Sequence, residues 1–345
     1  MKKLLTDYDK ASLAAELAPL GAERYRAEQI YGWINRGTDF PEMSNVPKTL
    51  RGRLAEEYDA VGAAIIKEAV SRDGTVKFLF RLRDGSLIEG VLMKYKYGYT
   101  MCVSTQVGCR MGCAFCASGK DGLFRNLTAG EMLGEVICAN SYLEKKDPGA
   151  RVGNVVLMGS GEPLDNYENV TAFIRLLTEG QGVGQRGISL STCGLTGNIR
   201  RLADDGFSVT LCISLHSPFD DKRVRVMPSG RSYKISDIIA AAKYYFEKSG
   251  RRIIFEYAMM RGFNISAADA KALAGLAKNF PCHVNLIPLN ETGSALAGVN
   301  RREADGFLKM LAGLGVSATI RRSLGEDIEG ACGQLKRKYT ENNGG

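Results

Sequence analysis

Residues 101–116 read MCVSTQVGCRMGCAFC, and this stretch carries the main evidence for both the fold and the chemistry of the protein. Its first residues belong to a predicted strand, 99–105. The loop that follows holds three thiols at spacings of four and three residues: Cys109, Cys113 and Cys116. In a reducing compartment, clustered thiols indicate metal binding or catalysis.

The number of thiols in this loop limits what it can bind. A structural zinc ion takes four ligands, and the two histidines of the chain, His216 and His283, are not at a finger-like spacing. A cluster that only carries electrons takes four cysteines, one for each iron. Three thiols leave one iron of a [4Fe-4S] cubane open, where S-adenosylmethionine (SAM) can bind through its amino group and carboxylate. A structural metal site and redox-switch thiols are the alternatives.

Beyond residue 96 the chain alternates strand, loop and helix about six times. The intervening helices have apolar residues at helical spacing, for example in 236–246 and 267–278. This alternation predicts a parallel sheet with helices outside it, either open and doubly wound or a barrel. In barrels, the chemistry lies at the carboxyl ends of the strands. The six predicted strands are 99–105, 154–158, 187–191, 209–215, 252–258 and 283–288.

The first part of the chain has a different pattern. Residues 13–34 and 49–58 have the periodicity of amphipathic helices. Residues 76–82 and 86–93 flank Asp84-Gly85, a pattern that predicts a β-hairpin. We therefore divide the chain into an N-terminal helical accessory domain (1–62), a β-hairpin extension (63–96) and a core (97–345).

Composition predicts a cytoplasmic protein. The 345 residues are 45% hydrophobic and 24% charged, as in ordinary globular proteins. The N-terminus turns polar before any signal-peptide stretch, and no later run is long enough for a membrane span. Nine cysteines, an odd number, argue against a secreted disulfide framework. The net charge of +8 favours a polyanionic partner, although the basic residues are spread over short pairs.

The cysteine loop resembles the signature of the radical SAM superfamily. That signature is CxxxCxxC with an aromatic residue, here Phe115, before the last cysteine, at the end of the first core strand. The resemblance implies an α/β fold, a partial (β/α)6 TIM-like barrel, here with the helical accessory domain and the hairpin extension. It also implies one [4Fe-4S] cluster per chain, held by the three cysteines of the loop.

A second motif, Met158-Gly-Ser-Gly-Glu-Pro163, follows the second core strand. A Rossmann phosphate loop would need a third glycine and a ribose-binding acid, and both are missing. The motif resembles the Gly-Glu-Pro element of radical SAM proteins, and this resemblance gives each of its residues a role. Gly161 would let the backbone approach SAM, Glu162 would pair with its ammonium and Pro163 would stiffen the turn. The alternative is a plain turn with a helix cap.

Polar residues follow three further strands on the same predicted rim. They could supply hydrogen bonds to the ribose and adenine of SAM. His216 is given only a binding role, because a lone histidine is more often structural than catalytic. The cofactor-binding candidates on these strands are Ser191, Ser214, Leu215, His216 and Asn290.

Two cysteines outside the cluster loop have no structural explanation in the sequence. Cys332 lies among glycines in a basic tail, where a reactive thiol is likelier than a buried one. Cys102 lies seven residues before Cys109.

Together with the motifs above, the segments 25–31, 125–128, 285–290 and 331–335 resemble the RlmN family, the dual-specificity 23S ribosomal RNA and transfer RNA adenine methyltransferases. The resemblance covers nearly the whole chain, although Ser160 stands where that family commonly has methionine.

The resemblance implies a mechanism, because carbon 2 of adenine is not nucleophilic and needs a radical route. Two SAM molecules are consumed per turnover. The first methylates Cys332, and the second yields a 5'-deoxyadenosyl radical that takes hydrogen from the S-methyl group. The methylene radical adds to adenine, Glu89 accepts a proton, and Cys102 releases the product by forming a disulfide with Cys332. Glu89 ends a hairpin strand, where an exposed glutamate is common.

The implied partners are 23S ribosomal RNA and transfer RNA (adenine 37), bound partly by the accessory domain. An electron donor such as flavodoxin or ferredoxin is implied too, with a monomeric enzyme and no membrane. Two alternatives remain open at this stage. A Cfr-type enzyme would methylate carbon 8, and a non-catalytic iron-sulfur sensor would bind RNA without cleaving SAM.

Overall fold

The computed structural model describes residues 2–289, 296–322 and 324–328. Its first elements form a small helical unit with its own buried core, around Leu13, Ile30 and Leu54. A short parallel pair of strands, β1 and β2, closes this unit. The elements are β1 (Lys3–Leu4), α1 (Lys10–Leu17), α2 (Arg24–Ile34), α3 (Lys48–Glu57) and β2 (Tyr58–Asp59).

The sequence-based prediction of helix throughout 13–34 is wrong between α1 and α2. Pro19 lies in a short 3-10 turn, and Gly21 adopts a left-handed φ of 70°. Proline interrupts regular helical hydrogen bonding and glycine tolerates a positive φ. The chain therefore changes direction between residues 18 and 21, and α1 and α2 are separate helices.

Four antiparallel strands come next: β3 (Ala63–Val70), β4 (Val76–Leu82), β5 (Leu87–Tyr95) and β6 (Gly98–Cys102). The predicted hairpin is present as β4 and β5, with Gly85 at a φ of 84° in its turn. The prediction missed β3, whose side chains are mostly exposed or half-buried and do not alternate cleanly. The hairpin also continues directly into the core, because β5 pairs with β6.

The core adds strands that run parallel to β6. Together they form one ten-stranded sheet, in the order β14-β13-β12-β11-β10-β9-β6-β5-β4-β3, which does not close in the described residues. The prediction of a parallel α/β core is confirmed, and its six strands become seven because of the short β14. The strands are β9 (Val152–Leu157), β10 (Ile188–Thr192), β11 (Thr210–Ser214), β12 (Ile253–Met259), β13 (Cys282–Pro288) and β14 (Ala318–Ile320); β7 (Gln106–Gly108) and β8 (Leu123–Asn126) form a separate hairpin.

Helices connect the parallel strands, and several begin at capping boxes. In α4, the Thr128 hydroxyl accepts the Glu131 N–H at 3.2 Å, and the Glu131 carboxylate accepts the Thr128 N–H at 3.0 Å. Such reciprocal bonds satisfy amide groups that a helix start leaves unpaired. The helices are α4 (Ala129–Lys146), α5 (Tyr167–Gln181), α6 (Thr196–Asp204), α7 (Asp220–Val226), α8 (Ile235–Ser249), α9 (Ala267–Ala277) and α10 (Arg301–Gly313). In the described part of the chain, none is long and apolar enough to cross a bilayer.

Candidate active site

The three loop cysteines line one cavity at the carboxyl ends of the parallel strands. Cys109 is buried, and Cys113 and Cys116 are half-buried. Burial raises the pKa of Cys109 to about 11 and that of Cys113 to about 12, so both thiols are protonated until a metal displaces the proton. In the described residues, no three acidic, histidine or cysteine side chains converge as for one metal ion. A cubane puts each thiolate on a different iron and therefore needs no such convergence.

Backbone hydrogen bonds hold the cysteine loop from several sides. The Cys109 N–H donates to the Gly122 carbonyl at 2.9 Å, next to the β7–β8 hairpin. The Ala114 N–H donates to the Val226 carbonyl at 2.9 Å, which ties the loop to the end of α7. Phe115 packs edge-on against the His216 ring, with centroids 4.6 Å apart. The thiols are therefore placed by the core rather than by the loop alone.

The Gly-Glu-Pro turn forms another wall of this cavity. Gly161 has a φ of +111°, and a side chain there would lie 2.5 Å from the Thr105 hydroxyl. Its lack of a side chain thus permits close packing against the chain before β7. The role of Gly161 in the approach of SAM stays a prediction. Glu162 is buried, and its carboxylate accepts the Cys193 N–H at 2.7 Å and the Leu164 N–H at 3.1 Å. Burial raises the pKa of this carboxyl.

A row of polar side chains crosses the cavity from β10 to β13. Ser191 and Ser214 have their hydroxyl oxygens 3.2 Å apart. Glu256 is the register partner of both Ser214 and Asn285, and its carboxylate accepts the Asn285 amide N–H at 2.9 Å. Burial raises the pKa of Glu256. The two serines were predicted from the sequence, whereas Glu256 was missed because it lies inside an apolar strand.

His216 is held in a strained conformation beside the same cavity. Its φ is 55°, the only positive value of a non-glycine residue in the described part of the chain. The Ala258 N–H donates to Nδ1 at 2.9 Å, so the neutral ring carries its proton on Nε2. The Asn264 amide donates to the His216 carbonyl at 2.8 Å. Burial, followed by the charge of Arg223, lowers the pKa of His216 to about 3, so the ring is a neutral donor at physiological pH.

A second cavity, of about 370 Å³, adjoins the first. Cys102 and Glu89 both line it, and Gly159 lines both cavities. Gly159 packs directly on the chain after β6, since a side chain there would lie 2.7 Å from the Val103 carbonyl. The loop after β9, at Gly159, is therefore a shared wall between the cysteine cavity and a chamber lined by a thiol and a carboxylate.

Comparison with known proteins shows which family the chain belongs to. Residues 103–273 match the radical SAM superfamily model, and residues 4–59 match the model of the ribosomal RNA large subunit methyltransferase N-terminal domain. A Clostridium perfringens protein named probable dual-specificity RNA methyltransferase RlmN is 47% identical over 350 residues, which cover 100% of this chain and 99% of that protein. The chain belongs to the RlmN family.

Two further comparisons agree with this membership. An RlmN protein of Lachnoclostridium phytofermentans is 45% identical over 95% of this chain and 93% of its own length. The crystal structure of a radical SAM methyltransferase from Sphaerobacter thermophilus matches with a TM-score of 0.92 and 43% identity, covering 96% of this chain and 98% of that one. The chain is thus a radical SAM methyltransferase, and the superfamily uses a [4Fe-4S] cluster and SAM.

The cavity residues fit these cofactors. Three thiols on one wall suit a cluster with one open iron, and buried oxygen acceptors on the other walls suit an ammonium and a ribose. Two of the predicted residues lie outside the described part of the chain: Asn290 and Cys332. Leu215 is fully buried in the hydrophobic core and is not one of the cavity-lining side chains, so only its backbone could contact SAM.

Glu89 is not the surface residue that its hairpin position suggested. It is only 9% exposed, and its carboxylate lies 3.2 Å from the ammonium of Lys77, which is fully buried on the neighbouring strand β4. Glu89 is more buried than it would be in an isolated hairpin, because β5 lies between β4 and β6 in the interior of the ten-stranded sheet. The sequence interpretation missed Lys77, since a lysine in an alternating strand normally faces water.

The family segment 125–128 has structural roles in the described residues. Arg125 donates to both carboxylate oxygens of Glu131, at 2.8 and 2.9 Å, and to Asp84 at 2.7 Å. Asn126 accepts the amide N–H of Gln106, a fully buried residue whose own oxygen accepts the Glu162 N–H at 2.9 Å. Gln106 thus connects the β7–β8 hairpin to the Gly-Glu-Pro turn.

The low pKa of His216 predicts how the stability of the apoprotein depends on pH. The unfolded histidine takes up a proton near its ordinary value of 6.5, while the folded one stays neutral down to about 3. Stability is therefore lost as the pH falls from 6.5 toward 3, by up to about 1.4 kcal/mol per pH unit. Urea unfolding of wild type and His216→Gln at several pH values should show a steeper acid loss in wild type. Equal slopes would contradict the buried neutral ring.

Proposed function

We propose that this enzyme methylates carbon 2 of an adenine in 23S ribosomal RNA, and also in transfer RNAs, through an S-methylcysteine on Cys332. The observation that carries the proposal is the chamber holding Cys102 and Glu89, which shares the wall at Gly159 with the cysteine cavity. A further thiol and a carboxylate next to the cysteine cavity have no use in simple methyl-cation transfer from SAM.

The cysteine cavity is proposed to hold the cofactors. Cys109, Cys113 and Cys116 would ligate one cluster per chain. SAM would lie across the carboxyl ends of the strands, where buried oxygen atoms could accept hydrogen bonds and the neutral His216 ring could donate one. The remaining SAM contacts are assigned to Gly161, Glu162, Ser191, Ser214, Leu215 and Asn290. When bound, the cluster and SAM supply a carbon-centred radical able to take hydrogen from an unactivated methyl group.

The chamber is proposed to hold the target adenine. Its volume of about 370 Å³ suits a flipped base better than a duplex, and reaction inside a base stack is sterically blocked. Glu89 would accept the proton that leaves carbon 2 after the carbon–carbon bond forms, and the unpaired electron of the adduct would pass back to the cluster, which SAM cleavage leaves oxidised. Cys102 would then attack the sulfur of Cys332, so that a disulfide forms, the carbon–sulfur bond breaks and the methylene carbon is protonated to a methyl group.

The proposed function also implies which molecules the enzyme binds. The RlmN relatives are named for dual specificity toward RNA, and the N-terminal unit that matches their family model is proposed to bind RNA. The net charge of +8 favours a polyanion. We propose a monomeric cytoplasmic enzyme that consumes two SAM per turnover and receives electrons from a flavodoxin or ferredoxin.

The test is anaerobic reconstitution with iron and sulfide, followed by reaction with SAM, a reductant and both kinds of RNA. Mass spectrometry of the digested RNA against 2-methyladenosine and 8-methyladenosine standards identifies the atom. We expect 2-methyladenosine together with 5'-deoxyadenosine, and neither from a Cys113→Ala variant. A product at carbon 8 would replace the proposal by Cfr-type chemistry, and an intact cluster without SAM cleavage would indicate an RNA-binding sensor.

A further inference from the structure

Arg223 is the largest fully buried side chain in the described part of the protein. It lies on α7, and its guanidinium donates to the carbonyls of Cys193, Ser214 and Tyr233. Its Nε is buried without a hydrogen-bond partner. All three acceptors are neutral, so these bonds leave the positive charge uncompensated.

A buried guanidinium normally has a carboxylate beside it, because removing an unpaired charge from water costs several kcal/mol. Arg223 forms no such ion pair with any described residue, although Asp220 on the same helix contributes weakly to its electrostatics. The buried Glu162 accepts the Cys193 N–H and forms no ion pair with Arg223. The fold therefore holds a cation at a place where its own residues supply no adjacent anion.

The cluster loop touches the helix that carries Arg223 and would bring negative charge to it. Arg223 interacts electrostatically with the thiols of Cys113 and Cys193. Its helix is tied to the loop by the Ala114–Val226 hydrogen bond, and the Cys193 sulfur lies 3.4 Å from the Met111 sulfur of the same loop. Three thiolates on a cubane would place a net negative charge on this side of the guanidinium.

We propose that Arg223 is the built-in counter-charge of the iron-sulfur cluster and makes the cluster easier to reduce. The inference rests on the cluster of the proposed function, but not on the RNA substrate or the product atom. When one electron enters from an external low-potential donor, no bond is made or broken, and the cluster with its thiolates gains one negative charge. A fixed cation in a water-poor interior stabilises the more negative state. Arg223 is a positioning residue in this role, since it does not line the cavity proposed to hold SAM.

The test measures the midpoint potential of the reconstituted cluster by an EPR-monitored redox titration, without SAM or RNA. Arg223→Gln keeps a hydrogen-bond donor and removes the charge, Arg223→Met removes both, and Arg223→Lys keeps the charge. We expect the two neutral variants to contain about tenfold less reduced cluster at a fixed solution potential, which corresponds to a shift of 59 mV to more negative values for one electron. Arg223→Lys should stay close to wild type.

Arg251 provides the matched control. It is also an arginine with a buried, unpartnered Nε, but it donates to the Thr210 hydroxyl at the opposite end of β11. Arg251→Gln should leave the potential unchanged.

Iron and sulfide analysis separates the two proposals. If wild type holds no cluster, both fail. If wild type holds a cluster and a folded neutral variant has the wild-type potential, only the role of Arg223 is overturned. Equal shifts in Arg223→Gln and Arg223→Lys would also overturn it, because the effect would then come from packing. If neither neutral variant folds without the cluster while Arg223→Lys does, Arg223 is structural and the inference is wrong.

Discussion

Cys102→Ala is expected to trap the substrate RNA on the protein as a covalent adduct. Cys102 is buried at the wall of the chamber and is proposed to attack the sulfur that links Cys332 to the methylated carbon. Without it the adduct forms but is not released, and turnover falls on the order of a thousandfold or more, as for loss of a nucleophile in other enzymes. Denaturing gel electrophoresis with labelled RNA detects the adduct as a slow band.

Cys332→Ala should give neither adduct nor methylated product, because the carrier of the methyl group is gone. Cys138→Ala is the matched control, since this half-buried thiol lies on α4, donates to the Ala63 carbonyl and lines neither cavity. It should react as wild type does. Full turnover by Cys332→Ala would refute the proposed mechanism, whatever Cys102→Ala does.

Lys77→Met is expected to destabilise the protein by about 3–5 kcal/mol, because it leaves the buried Glu89 carboxylate without its cation. Replacing both residues, in Lys77→Met/Glu89→Leu, should restore much of the lost stability, since a packed apolar pair avoids the desolvation of two charges. The double variant should nevertheless be inactive, because it has no proton acceptor in the chamber. Urea unfolding of the apoprotein gives the three free energies of unfolding.

An exposed pair serves as the control for this cycle. Lys243 and Glu247 lie 3.9 Å apart on α8 and are both more than half exposed. Lys243→Met should change the free energy of unfolding by less than about 1 kcal/mol. A similarly small effect of Lys77→Met would show that the buried pair does not contribute as proposed. Normal turnover by the double variant would exclude Glu89 as the proton acceptor.

Local patterns explain why the core was predictable. The parallel strands are short apolar runs bounded by turns, and β11 and β13 were predicted to within one residue at each end. The cluster ligands were predictable because all three lie within one loop and their number alone limits the metal chemistry. Strand β3 was missed because its side chains do not alternate cleanly between buried and exposed, and β14 was missed because it is only three residues long.

The sequence by itself determined the radical SAM chemistry, since the number and spacing of thiols, the Gly-Glu-Pro turn and the order of motifs are local properties. The tertiary structure decided which charges are buried. Lys77 alternates with apolar residues as a surface residue would, Glu89 and Glu256 lie among apolar strand residues, and Arg223 lies in a helix rich in charge. The sheet and α7 bury these four side chains beside the two cavities and the cluster loop. The sequence could not show this, because the free energy of a charge depends on every group around it in space rather than on its neighbours in the chain.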